Sequence, residues 1–269
     1  MKHSILIFRV LASTMFVVTL ALAQDSREIS KTVPLKTDGD VVIDTYKGSI
    51  DITTWDKPQV EIHARIEADD EFNTKYSAEK VRDTEVRIDA SDGRVKIKTD
   101  YDGVHERHDG FWSWFEDESG SLPLVHYTIT MPATAHLSIK DYKSTSSVKN
   151  LRSDLEFNTY KGDVEIVSLE GSLKLETYKG TARVDFNKLK DRSRFETYKG
   201  KITISLPKKS GFDLDADLGY KTDFSSDFDI ELETHGRHHH NAEFHGPVGG
   251  GGTALALRST KGSIRLREH

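Results

Sequence analysis

Tyrosine and lysine recur side by side along this sequence, at a spacing that would set like residues beside like. Tyr160-Lys161, Tyr178-Lys179 and Tyr198-Lys199 each follow a threonine and precede a glycine, in Thr159-Tyr160-Lys161-Gly162, Thr177-Tyr178-Lys179-Gly180 and Thr197-Tyr198-Lys199-Gly200. An earlier copy is Thr45-Tyr46-Lys47-Gly48, a degenerate one is Asp141-Tyr142-Lys143-Ser144, and a worn one is Ser259-Thr260-Lys261-Gly262. If each copy sits on one turn of a stacked chain, equivalent residues lie about 4.7 to 4.9 Å apart. Tyr160, Tyr178 and Tyr198 then form an outward aromatic strip. It either binds sugar rings or a peptide through flat apolar contact, or it simply stabilises the corner of the chain. Lys161, Lys179 and Lys199 would repel one another at that spacing. They either interleave with Asp163, Glu176 and Glu196 as a solvated charge ladder, or form a column for phosphate or uronate groups. These six residues are the candidate ligand-binding set.

Other residues with chemical potential are less organised. His235, His238, His239, His240 and His245, with Glu243 nearby, hold enough imidazoles for zinc or nickel. Three consecutive histidines cannot all face one ion from a strand, so a solvated loop is the alternative, and no metal or other cofactor is assigned. Trp112, Trp114 and Phe115, flanked by Glu116, Asp117 and Glu118, form either an exposed contact patch or a cap over an open sheet end. A polysaccharide-cleaving enzyme would need paired carboxylates, or a base beside one, on one face. Glu165, Asp185 and Arg183 are available, but no pair stands out. No Gly-x-Ser-x-Gly, phosphate loop or His-Glu-x-x-His is present.

The elements that must position these residues are strands. Gly162, Gly180 and Gly200 are 18 and 20 residues apart, and Ser144 stands 18 residues before Gly162. A step that constant is the signature of a solenoid whose turns bury their inner side chains against neighbouring turns. Alternation points Phe157, Thr159, Val164, Ile166, Leu173, Leu175, Thr177, Phe195, Thr197, Ile202 and Ile204 inward, and Glu176, Tyr178 and Arg183 outward. Glycine sits at the corner because a side chain would obstruct the turn. Upstream, alternation over 26–56 and 57–68 predicts half-buried strands, 73–84 a short helix with Asn73 as N-cap, and Val86–Thr99 a hairpin turned at Asp92-Gly93. A strand over 125–131 stops at Pro132, and Leu137 begins the main array. Residues 101–122 have no sustained period and are expected to form a flap. Phe212–Leu218 alternates, but Tyr220-Lys221-Thr222 follows one residue out of phase, either across a bulge or by coincidence. A His- and Gly-rich loop is expected over 235–252, before a closing strand from Ala254 to Arg267. The fold class expected is all-β: a parallel, β-helix-like solenoid of coils of about 18–20 residues, with N-terminal strands, one hairpin and one short helix.

The first residues have the form of a secretory signal peptide: Lys2 and Arg9, an apolar run from Val10 to Leu22, and Ala21-Leu22-Ala23 before the cleavage point. Residues 1–23 are therefore expected to be a leader and 24–269 a single solenoid domain, with no later transmembrane segment. The formal net charge of −6 disfavours nucleic acid and anionic membrane as partners. The chain has no cysteine. An exported protein of this composition must fold on packing alone.

Asp38–Asp56, the strand and proline at Tyr127–Pro132, the glycine-cornered coils from Leu137 onward and the closing Gly-rich segment into Leu257–Leu266 together resemble the bacterial putative adhesin family of β-strand-repeat proteins. The resemblance covers nearly all of the chain after the leader. It implies an exported or envelope-associated β-solenoid, periplasmic, surface-bound or secreted, with no established catalysis. It differs from the family's usual corner by using Tyr-Lys before the glycine, where Ser or Asn is common. The expected function is a non-catalytic cell-envelope protein, an adhesin-type binding module or a scaffold, whose partner is an envelope glycan or another envelope protein. The alternative is a carbohydrate-active enzyme on a β-helix scaffold.

Overall fold

The computed structural model describes residues 22–23, 26–69, 77–105, 121–230 and 241–269. Most of the expected leader, Asn73, Trp112, Trp114, Phe115 and His235–His240 lie outside them. Almost all of the described chain is strand, arranged in two hydrogen-bonded ladders that share the two longest strands.

The first ladder stacks β3 (Asp40–Asp44), β9 (His136–Asp141), β11 (Leu155–Thr159), β13 (Leu173–Thr177) and β15 (Ser193–Thr197) in parallel. It continues onto the first half of β19 (Thr253–Glu268) and then the first half of β17 (Phe212–Ser226). The second ladder stacks β4 (Lys47–Trp55), β10 (Lys143–Lys149), β12 (Asp163–Gly171), β14 (Thr181–Leu189) and β16 (Lys201–Leu206), again in parallel. It ends on the second halves of the same β19 and β17. Each Thr-Tyr-Lys-Gly copy is therefore the corner at which the chain leaves the first ladder for the second. On the return side, Asn150 and Ser168 take the bend with φ of 59° each.

The expected parallel order does not hold throughout. Beyond β3 and β4 each ladder runs parallel for one more strand, onto β7 (Arg94–Asp100) and β8 (Leu124–Pro132), and then pairing turns antiparallel: β7 with β6 (Glu85–Ser91), β8 with β5 (Gln59–Glu67), and β5 with β2 (Ser26–Pro34). At the other end β18 (Asn241–Val248) folds antiparallel on β17, so part of the stretch expected to be a loop over 235–252 is strand. The fold is all-β and solenoid-like with mixed strand orientation. Of these pairs only β6 and β7 are joined by a tight turn, at Asp92-Gly93, which permits only antiparallel neighbours; the others pair across long stretches of chain. The first strand, β1 (Leu22–Ala23), pairs with Ser26 and Arg27.

Two helices are described. The expected short helix is α1 (Ser77–Asp83), ended by Thr84, whose N–H and Oγ1 both donate to the Lys80 carbonyl at 3.0 and 2.8 Å. A single turn, α2 (Asp102–His105), opens the region expected to be a flap. The hairpin turns at Asp92-Gly93 as the sequence predicts.

Alternation builds the core. In β13, Leu173, Leu175 and Thr177 are buried while Lys174 is exposed, and β11, β15 and β16 repeat the pattern. Phe157, Phe186, Phe195 and Phe212 are fully buried in one continuous apolar cluster. Each contributes about 1.5–3 kcal/mol by leaving water. That cluster holds the corners, and their side chains, in register.

Candidate functional site

The corner begins with its inward threonine. Thr159, Thr177 and Thr197 are buried, and each Oγ1 accepts a hydrogen bond from the N–H of the glycine three residues on, at 2.9, 3.1 and 2.7 Å. The chain thus turns without leaving a buried donor unpaired. The glycine is needed because coils approach closely there. A Cβ on Gly180 would lie 1.8 Å from the carbonyl oxygen of Gly162, and one on Gly200 2.7 Å from that of Gly180. The left-handed backbone that glycine favours occurs only at the outlying copies, Gly48 (φ 132°) and Gly262 (φ 102°). At the central corners the requirement is therefore steric crowding between coils rather than a positive φ.

Tyrosine points outward from the corner and meets its counterparts. Tyr46, Tyr142, Tyr160, Tyr178 and Tyr198 form an unbroken stack with successive centroids 4.6, 5.0, 4.6 and 4.8 Å apart and ring planes within 9° of parallel. At one end Tyr46 meets the edge of Tyr101 at 76°. At the other, Thr260 takes the tyrosine position, since Thr197 and Lys201 pair with Ser259 and Ser263. Flat contact with a sugar or peptide, expected from the sequence, meets a geometric obstacle: the rings already cover one another's faces. Edges and hydroxyls remain, and they form one wall of an open groove of about 620 Å³ whose lining includes Asp44, Lys140, Asn158, Glu176, Glu196 and Thr260.

The lysines form a longer file than three. Register places Lys47 opposite Lys143, then Lys161, Lys179 and Lys199 in successive coils, then Lys261, which lies opposite Lys221. Seven adjacent coils each present a lysine at this corner. Of these seven lysines only Lys47 is ion-paired to a described residue, Asp69, and it also donates to Ser121 at 2.7 Å. The interleaving with Asp163, Glu176 and Glu196 is absent. Glu176 pairs with Lys174 at 3.3 Å, Glu196 with Arg194 at 2.8 Å, and Asp163 accepts from the Thr181 N–H at 3.1 Å. Those carboxylates flank the corner on its two ladders, and their partners lie along and between strands.

Nor do the tyrosine rings neutralise the file. The Lys161 ammonium lies 5.5 and 5.9 Å from the centroids of Tyr160 and Tyr142, which are themselves 5.0 Å apart. It therefore sits beside the stack rather than over a free face, where cation–π attraction is small. Adjacent ammonium groups at one strand spacing repel by about 0.9 kcal/mol even at the dielectric of water.

Sequence reasoning missed a buried acid in this array. Asp141 occupies the threonine position of the degenerate copy and is 6% exposed. Its carboxylate accepts from the Ser144 N–H at 2.9 Å, the Ser144 hydroxyl at 2.5 Å and the Thr159 hydroxyl at 2.9 Å. Burial pushes its pKa above the ordinary carboxylate value, and these donors only partly offset the rise. The signal was visible in the motif itself, an acid where every good copy has a hydroxyl. Beside it runs a second buried chain, Thr45 to Thr99 at 2.8 Å and Thr99 to the Tyr127 hydroxyl at 2.7 Å. Burial raises the Tyr127 pKa and keeps the phenol neutral.

The remaining sequence candidates are separate from the corner. His245 lies in β18 with its Nδ1 3.0 Å from Asp215, which also pairs with Arg258 at 2.8 Å. The Arg258 hydrogen bond is the main reason the Asp215 pKa is lowered. Among the described residues no cluster of His, Asp or Glu is arranged to hold a metal. Glu165 and Arg183 face each other across β12 and β14, while Asp185 lies 3.0 Å from Nε2 of His269. No helix of the described chain is long and apolar enough to cross a membrane.

The family described as Toastrack DUF4097 matches residues 9–267. The chain belongs to that family. No curated protein matches the sequence. Two solved structures are similar to this Toastrack chain. One, a putative cell adhesion protein from Clostridium sporogenes ATCC 15579, is 11% identical with a TM-score of 0.46, over 89% of this chain and 99% of that one. The other, a putative lipid binding protein from Parabacteroides distasonis ATCC 8503, is 10% identical with a TM-score of 0.30, over 88% and 96%. The Toastrack family is one of unknown function, so its activity must be argued from the corner. There the arrangement offers a row of phenol hydroxyls beside a row of unpaired ammonium groups, which suits charge pairing and hydrogen bonding to an elongated ligand.

Proposed function

We propose that this Toastrack chain is an exported, non-catalytic cell-envelope protein whose β-helix-like coils serve as an adhesin-type binding module. The observation that carries the reading is the run of six lysines beside the tyrosine stack, from Lys143 to Lys221 with Lys47 excepted, that no carboxylate of the described residues pairs. The described chain contains many ion pairs, and even Lys174 and Arg194, on the strands that lead into the corner, are paired with carboxylates. A scaffold with no ligand gains nothing from keeping like charges aligned at one strand spacing. The leader-like first residues support export, and the resemblance to the adhesin family supports the envelope.

Two measurements test this. Purified protein should sediment with isolated envelope material from its own cells, and a Tyr160→Ser, Tyr178→Ser, Tyr198→Ser variant that folds should sediment less. Equal sedimentation of the variant would remove the tyrosine edge from the reading. For location, protease shaving of intact cells should remove the protein if it is on the surface and spare it until the outer barrier is breached if it is periplasmic. Recovery in the cytosolic fraction would contradict export.

A further inference from the structure

We infer that the lysine file is a linear track for an acidic polysaccharide bearing a carboxylate on each sugar. This rests on the binding-module reading and names its ligand class. Three observations lead there. First, the file is straight and long: Lys143, Lys161, Lys179, Lys199, Lys261 and Lys221 occupy six consecutive coils, and among the described residues none has a carboxylate at ion-pair distance. Second, it is one residue wide. On the ladders beside it acids and bases alternate, Asp51, Asp163 and Glu165 with Arg183 on the second and Glu156 with Lys174 on the first, so charge of one sign is confined to the corner and does not widen into a basic surface. A single extended polymer lying along the corner avoids those acids. Third, the spacing selects the polymer. The rings mark a step of 4.6–5.0 Å per coil, comparable to the rise of one sugar in an extended chain, so the carboxylate and ammonium repeats stay matched in length along the file. Tyrosine hydroxyls beside the file supply hydrogen bonds to sugar hydroxyls, a role open to ring edges when the faces are covered.

Binding by this track is multivalent, so affinity depends on how many adjacent lysines a chain spans and falls with added salt. The test is titration of the full protein with oligogalacturonates of graded length, polygalacturonate, hyaluronate (a carboxylate on alternate sugars only), dextran and polyphosphate. The expected results are affinity that rises with length to about six sugars, one per unpaired lysine of the track, weaker binding of hyaluronate at equal length, and none of dextran. A Lys161→Gln, Lys179→Gln, Lys199→Gln variant should bind polygalacturonate about tenfold more weakly or worse, the sum of three exposed ion pairs. A melting curve of the variant checks that it remains folded.

Unchanged affinity of the folded variant overturns the proposal, as does equal binding of dextran or a preference for polyphosphate over polygalacturonate of equal charge. Wild-type protein that sediments with envelopes but ignores polyuronate overturns the ligand class alone. Protein that binds neither overturns the binding-module reading as well.

Discussion

Thr177 and Gly180 show how little side-chain chemistry the corner needs. The threonine hydroxyl accepts the Gly180 N–H, and the missing Cβ lets the Gly162 carbonyl approach. Thr177→Val keeps the shape and removes the acceptor, so it should cost about 1–3 kcal/mol by leaving a buried N–H unpaired. Gly180→Val should cost about 1–3 kcal/mol or more, because backbone must move to admit the side chain. Denaturant titration of both variants measures these losses, and wild-type stability in Gly180→Val would contradict the close approach. Asp141 adds a pH signature. Its folded pKa is raised, so its contribution to stability is fully present below the unfolded carboxylate pKa and is lost as pH rises through the folded value. Asp141→Thr, which restores the repeat, should therefore gain stability relative to wild type as pH rises from acid to neutral. Melting temperatures across that range check it, and a constant difference between the two proteins would contradict it.

At the scale of elements, the coils from Leu137 to Leu206 were legible in the sequence because one physical rule, alternation between glycine corners, governs every turn. The inward sets at Leu173, Leu175 and Thr177 and at Phe195 and Thr197 are buried as read. The closing strand was legible as a strand but not in its place. β19, last in the chain, inserts between β16 and β17, and that order depends on pairing between distant residues, which no local pattern encodes. The slip at Tyr220 is a bulge between Leu218 and Lys221, one of the two alternatives the phase allowed. At the corner, the tyrosine stack was foreseeable from spacing, but the loss of its ring faces was not, because spacing alone does not give ring orientation. The lysines' lack of partners was hidden for a related reason. Glu176 and Glu196 are near in sequence, yet their strands turn them toward Lys174 and Arg194. The stack also ends for a readable reason, since Thr260 stands where a tyrosine would continue it. Thr260→Tyr should extend the stack and stabilise the fold by about 0.5–1 kcal/mol, visible as a higher melting temperature. A lower one would mean that the Lys261 side chain, whose ammonium is 5.8 Å from the Tyr198 centroid, already fills that space.

Across the whole molecule, folding and binding fall to different residues of one repeated motif. Threonine and glycine form the corner, phenylalanine and leucine fill the space between the ladders, and tyrosine ties each coil to the next. Lysine, Lys47 apart, contributes to none of these, although seven coils in a row present it. In an acidic protein of net charge −6, a cation file of that length is kept against its own repulsion. The most direct test is the melting temperature of Lys161→Gln, Lys179→Gln, Lys199→Gln against wild type, at low and at high salt and without ligand. If the lysines are held for a partner, the variant melts higher than wild type at low salt, and the gap closes as salt screens the repulsion. A variant that melts lower at low salt would make the lysines part of the fold and contradict their assignment as the binding edge.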